Sequence, residues 1–241
     1  MITKFNTTVL TCLLVLTMSS LVNANLVQVR DSASSSGYFV SGTSSNSLKI
    51  KEGSNSRTIS AGTFNFDIRN ADSKNWLNFQ AYCIELGQTI KFGHNPTDTV
   101  GKPYEVINLV DYSGITTSDV SFLGVLWANA FDLSTQNAQA AAAFQTLVWE
   151  VISDSKINLT GGWFELKPSG STFTNGVMDL ANDWIDNIGN NSWTTTTELF
   201  VLANGQSQDF ITTVPEPSSM ALALLGGAML LGRGRRKDRV A

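Results

Sequence analysis

One thiol, one imidazole and one amide in apolar surroundings are the groups of this sequence best placed to do chemistry: Cys83, His94 and Gln145. Of the two cysteines in 241 residues, Cys12 lies in an N-terminal apolar stretch that reads as removable, which leaves Cys83 alone in a mature form. A lone thiol in an exported protein is a reactive group, an intermolecular partner or a buried inert one. Cys83 paired with the only histidine would suggest a thiol–imidazole dyad and a cysteine hydrolase. His94, however, follows by eleven residues in the loop Phe92-Gly93-His94-Asn95-Pro96, and no signature of such an enzyme surrounds the cysteine. One histidine and one cysteine also fall short of a metal-ligand set. Gln145 is flanked by apolar residues in Ala142-Ala143-Phe144-Gln145-Thr146-Leu147-Val148-Trp149-Glu150-Val151. A buried amide there must be hydrogen-bonded or otherwise engaged, whereas a glutamine on a boundary face would be satisfied by backbone or water. Among the six tryptophans, Trp163 and Trp193 sit in polar surroundings and could line a glycan-binding groove, against the plainer reading of core aromatics.

The elements that must hold these groups follow from the hydrophobic pattern. Residues 33–60 are rich in Ser, Gly and Asn, with short alternating pieces at Gly37–Val40 and Ser47–Lys51 that predict two strands. Arg57–Arg69 and Trp76–Leu86 alternate and predict two more, the second carrying Cys83. A loop over Lys91–Lys102 leads to a short run at Tyr104–Val110. The period then changes to three and four. Ser118–Asp132 predicts an amphipathic helix capped by Ser118, Ser134–Ser153 a second capped by Ser134, and Phe173–Ile188 a third. Glu198–Thr212 closes as a hairpin with Asn204-Gly205 as its turn signal. Strands, then helices, then strands predict an α+β fold: an antiparallel β barrel or sandwich with a helical subdomain inserted over about 118–188.

The two ends read as addresses. Lys4, the apolar run Val9–Met18 and the small residues Val22-Asn23-Ala24 predict a signal peptide over 1–24, removed by signal peptidase. At the far end Val214-Pro215-Glu216-Pro217 is incompatible with helix. It precedes an apolar segment over 218–231, shorter than the ~20 residues of a permanent span, and a basic end at Arg233–Lys237. In that order the three parts resemble the PEP-CTERM sorting signal of Gram-negative exported proteins. The resemblance implies a transient inner-membrane tether through 218–231 and cleavage by an exosortase near Pro215-Glu216-Pro217. Release to the cell surface or extracellular matrix would follow, with a plain tail anchor as the alternative. Residues 25–213 remain as the working core, long enough for one domain or two packed subdomains. The whole chain carries 16 Lys and Arg against 20 Asp and Glu, a formal charge of −4. Because the concentrated basic charge is in the tail, the core is more acidic still, which argues against nucleic acid as a partner.

Tyr82-Cys83-Ile84 on a strand, followed by Phe144-Gln145-Thr146-Leu147-Val148-Trp149 on a helix, is similar to the paired motifs of the thioester domains of bacterial surface adhesins. Those carry aromatic-Cys-aliphatic and, later, Gln-x-x-aliphatic-Trp. The resemblance spans about Phe79 to Val151 and implies an internal thioester between Cys83 and Gln145. It further implies Tyr82, Phe144 and Trp149 as walls that keep water out, no cofactor, and a surface amine bound once and irreversibly. The chemistry suits the residue types: a thiolate held near an amide carbon expels ammonia and leaves an activated acyl group for an amine to take. Glu85 and Glu150 are the acid–base candidates by proximity. The alternative expectation is a non-catalytic protein of the polysaccharide biofilm matrix in which Cys83 is buried and inert.

Overall fold

The computed structural model describes residues 26–32, 39–40, 45–70, 73–91 and 98–213. The predicted leader over 1–24, half of the Gly37–Val40 strand, His94, and Val214–Pro217 with 218–231 lie outside the described residues. The strands are β1 Leu26–Asp31, β2 Ser45–Glu52, β3 Asn55–Ala61, β4 Phe64–Asn70, β5 Leu77–Cys83, β6 Lys102–Asn108, β7 Phe164–Leu166, β8 Phe200–Ala203 and β9 Phe210–Thr212. Six of them close an antiparallel barrel in the order β1-β4-β5-β9-β8-β6, and β3-β2-β7 form a second small sheet. The helices are α1 Thr117–Ser134, α2 Ala138–Ser153 and α3 Thr172–Gly189. The fold is therefore α+β with a barrel core. Among the described residues no helix is long and apolar enough to cross a membrane.

Alternation fills the barrel. Phe66 of β4, Phe79 of β5 and Phe210 of β9 meet inside it, with ring centroids 4.8 Å apart for Phe66 and Phe210 and 5.8 Å for Phe66 and Phe79. The single strand expected over Arg57–Arg69 is two strands in different sheets, broken at Gly62-Thr63. The reason is countable: Ile59 and Phe64 are an odd number of residues apart, so one continuous strand would put them on opposite faces. The 118–188 stretch also contains β7, whose Phe164 pairs with Glu52 of β2; the helical subdomain is thus sewn to the second sheet.

The first two helices start at caps slightly different from the expected ones. Thr116, not Ser118, caps α1, and with Asp119 it forms a reciprocal capping box. Asn137 caps α2 by accepting the Ala140 N–H at 2.9 Å, and Ser171 caps α3. Ser134 ends α1 instead of starting α2, and its hydroxyl accepts from the Tyr82 hydroxyl at 2.6 Å. Thr63 lies 2.6 Å from the same phenol. In this way a buried polar relay joins β5, the β3–β4 turn and the end of α1.

The central helix is α2: every residue from Ala140 to Val151 is buried, as expected of a helix enclosed on all sides. Tyr82, pointing away from the barrel interior, stacks on Phe144 at 4.4 Å, and Trp127 of α1 and Trp184 of α3 meet Phe144 edge-on. On the far side of α1 the return segment crosses at Gly124, where Thr197 donates its N–H to the Gly124 carbonyl at 3.2 Å. A Cβ at Gly124 would stand 2.5 Å from Thr196 Oγ1 and 2.9 Å from the Thr197 carbonyl oxygen. Gly124→Ala should therefore lower stability in urea unfolding, because overpacking of about 1–3 kcal/mol exceeds the gain of about 1 kcal/mol in helix propensity. A stabilised variant would show that the 195–197 segment is not held against α1.

Candidate functional site

Cys83 is the last residue of β5, and what surrounds it follows from register. Tyr82 pairs with Ile211 and Cys83 with Phe210, while β4 pairs with β5 only as far as Phe64 opposite Ala81. The next residue, Ile84, donates its N–H to the Asp209 carbonyl at 3.1 Å, on the β9 side. Neighbouring residues of a strand direct their backbone groups to opposite flanks. The N–H and C=O of Cys83 thus face the flank that β4 has already left.

Gln145 fills that place. Its Oε1 accepts the Cys83 N–H at 2.9 Å, and its Nε2 donates to the Cys83 carbonyl at 2.8 Å, across 62 residues of sequence. The side chain is 0% exposed. The amide does for Cys83 what a further strand residue would have done, and one N–H donor beside one C=O acceptor fixes which way it points. Phe144, the preceding residue of α2, is set against Tyr82, so the two motifs that were read separately from the sequence meet side by side.

The other predicted site residues divide. Tyr82 and Phe144 are fully buried beside the pair, and Trp149, one helical turn beyond Gln145, is nearly so, with its ring 6.3 Å from Phe164. Glu85 lies close enough for its charge to reach Cys83. Glu150 does not join them. Five residues beyond Gln145, it projects about 140° around the helix, where it accepts the Asn158 N–H at 2.5 Å. It serves the 154–163 loop, in which Asp154 accepts the N–H groups of Trp163 and Phe164. Trp163 is 51% exposed beside the Gly53 turn, whereas Trp193 packs on Trp184, so the two have different surroundings. Among the described residues no group of three His, Cys, Asp or Glu side chains could hold a metal ion.

Burial governs the electrostatics. It pushes the Cys83 thiol up, and the Glu85 charge adds to that, so the thiolate is disfavoured. Burial and then the Asp209 charge hold the Glu85 carboxyl above its ordinary range. Burial raises Asp209 as well, against the N–H of Asn204 and the hydroxyl of Tyr112 that donate to it. Neither Asp209 nor Tyr112 stood out in the sequence; barrel register, for which no local pattern exists, brings Asp209 beside the residue after Cys83, and Tyr112 reaches Asp209 from the end of the 3₁₀ turn at Leu109–Asp111. Glu150 is pushed up to about 7, by burial first and by the Asp154 charge second.

Comparison with known proteins supplies the destination. Residues 213–239 match the PEP-CTERM protein-sorting motif. The chain is accordingly an exported, cell-surface or extracellular protein whose tail is recognised by an exosortase during export. Neither a curated protein nor a solved structure matches the chain.

Two measurements follow from this geometry. In a Cys83→Ala background, which keeps the backbone of residue 83 and removes the sulfur, adding Gln145→Leu should cost about 2–4 kcal/mol in urea unfolding, since it strands a buried N–H and a buried C=O. No added cost would mean that the amide pairing contributes nothing. Glu150 keeps its proton to about pH 7 when folded and releases it near 4.5 when unfolded. Over that window the unfolded state binds fewer protons, so stability falls as pH rises, by up to about 3 kcal/mol. Glu150→Gln should flatten that part of the slope, leaving only what Glu85 and Asp209 contribute. A slope unchanged in Glu150→Gln would rule out Glu150 as its source.

Proposed function

We propose that this exported surface protein joins Cys83 Sγ to the Gln145 side-chain carbonyl as an internal thioester, and that the thioester captures an external amine once and covalently. The observation that carries the reading is the two-point hydrogen bond between the Gln145 amide and the Cys83 backbone, at 2.9 and 2.8 Å. It holds the electrophilic carbon beside the residue that bears the sulfur, which is the positional requirement of an intramolecular acyl transfer. The Cα–Cβ bond of a strand residue leaves roughly perpendicular to the plane of its backbone hydrogen bonds. The sulfur therefore departs toward a face of the amide, the side from which a carbonyl carbon is attacked. The Cys83 N–H already on Oε1 would stabilise the charge that gathers there as sulfur adds.

The step balances without a further reactant. A C–S bond forms, the C–N bond breaks, and the thiol proton leaves with the nitrogen as ammonia. In capture, an amine nitrogen bonds to the same carbon, the C–S bond breaks and Cys83 is returned as a thiol. Formation forfeits the bond from Nε2 to the Cys83 carbonyl, a loss of about 1–3 kcal/mol for a buried acceptor, which loss of ammonia to dilute surroundings must offset. A surface amine such as a lysine side chain or a polyamine is the class of target. A second reading, a matrix protein with an inert thiol, draws on the same two bonds: they give both polar atoms of the Gln145 amide a partner, and burial suppresses the thiolate.

Intact mass separates the two. Protein purified after export should weigh one ammonia less than its sequence, and Cys83→Ala and Gln145→Ala variants should weigh what their sequences require. Added methylamine should then appear in the mass of the wild type alone. A wild-type mass equal to the calculated one, with a thiol that titrates at once on denaturation, would leave the matrix reading.

A further inference from the structure

The thioester reading does not by itself say what moves the protons, and a pair of carboxylates beside Cys83 bears on that question. Asp209 precedes Phe210, the strand partner of Cys83, and its carbonyl accepts the Ile84 N–H at 3.1 Å. Its side chain is buried, at 7% exposure for the residue, and fully engaged. Oδ2 accepts the Tyr112 hydroxyl at 2.9 Å and Oδ1 the Asn204 N–H at 2.6 Å. Glu85 stands two residues beyond Cys83; the Asp209 N–H and the Gln88 side chain reach its carboxyl, while its Oε2 is buried with no hydrogen-bond partner. Among the described residues neither carboxylate forms an ion pair. Arg57, whose guanidinium reaches this segment, donates to the Leu86 carbonyl and pairs with Glu52.

We propose that Glu85 carries the proton between the incoming amine and the departing Cys83 sulfur, and that Asp209, anchored by Tyr112, is the positioning residue that acts through Glu85. This inference rests on the thioester reading. Two neighbouring carboxyls, Asp209 buried and Glu85 half-buried, do not both ionise readily, so the pair tends to hold one proton. Both oxygens of Asp209 have a donor, which favours the negative charge there, whereas on Glu85 the buried Oε2 has none, which favours the proton there. The groups that face Glu85 are Cys83 on β5, Tyr112 after the 3₁₀ turn at Leu109–Asp111, Asp209 and Gln208 before β9, Arg57 on β3, and Gln88 on its own segment. Tyr104 on β6 stands near Cys83. In capture, above the pH at which Glu85 gives up its own proton, the amine nitrogen bonds to the acyl carbon and gives its proton to the Glu85 carboxylate, and Glu85 protonates the sulfur as the C–S bond breaks. Nothing is oxidised or reduced.

The test is the rate of methylamine capture against pH, followed by intact mass on protein purified after export, for the wild type, Asp209→Asn, Tyr112→Phe and Glu85→Gln. Methylamine titrates identically in every sample, so differences belong to the protein. Asp209→Asn should keep the ammonia loss but move the acid limb of the profile down by about one pH unit, because Glu85 loses its like-charged neighbour. Tyr112→Phe should move it the same way by less, since Asp209 loses a donor that keeps it ionised; this variant decides the matter if Asp209→Asn does not fold. Glu85→Gln should slow capture by about a hundredfold and flatten the limb. An acid limb unmoved in both Asp209→Asn and Tyr112→Phe, in proteins that have lost ammonia, overturns this inference and leaves the thioester standing. A wild type that has lost no ammonia overturns both.

Discussion

The pairing of the Gln145 amide with the backbone of Cys83 is the contact on which the rest of the arrangement depends. At that point β5 has outrun β4, and without Gln145 a buried N–H and C=O would have no partner. Supplying both from one side chain requires α2 to lie flush on the barrel wall, which its alanines at 140 to 143 permit by presenting almost no bulk. Once α2 is there, Phe144 must face Tyr82, and Trp127 and Trp184 bring α1 and α3 to the same ring. The Tyr82 hydroxyl, enclosed by that packing, needs polar partners and has Ser134 and Thr63. Barrel, second sheet and helices are thus parts of one core, with the amide at its centre.

The structure divides along the line between local and non-local information. Cys83 on a strand and Gln145 on an apolar helix were readable because periodicity is local. That their backbones and side chains meet was suggested only by the order of two motifs. Asp209 was not readable at all: it sits in what looks like an ordinary polar turn, and only the β5–β9 register puts it across from Ile84. The helix starts were misread by a few residues because Ser, Thr and Asn cluster before α1 and α2, and several of them can cap. Three residues of β7 are too few to show alternation. Glu150 was singled out for nearness along the chain, whereas direction around a helix decides contact: at five residues' remove a side chain turns away, at four it returns. Trp149 falls on the stripe and Glu150 off it.

Burial of the site has two opposed consequences, and their balance bears on the class of function. Raising the thiol's pKa removes thiolate, tenfold for each unit, and so slows attack on Gln145. A turnover enzyme would meet that penalty in every cycle. A group that reacts once, in a protein that then remains outside the cell, meets it once, and slow formation costs it little. Under the proposed thioester the same dryness would work the other way. Water is the competitor that would destroy an activated acyl group, and the burial of Cys83 and Gln145 would limit its access. Under the proposed thioester, that balance would suit long persistence and a single use better than rapid reaction.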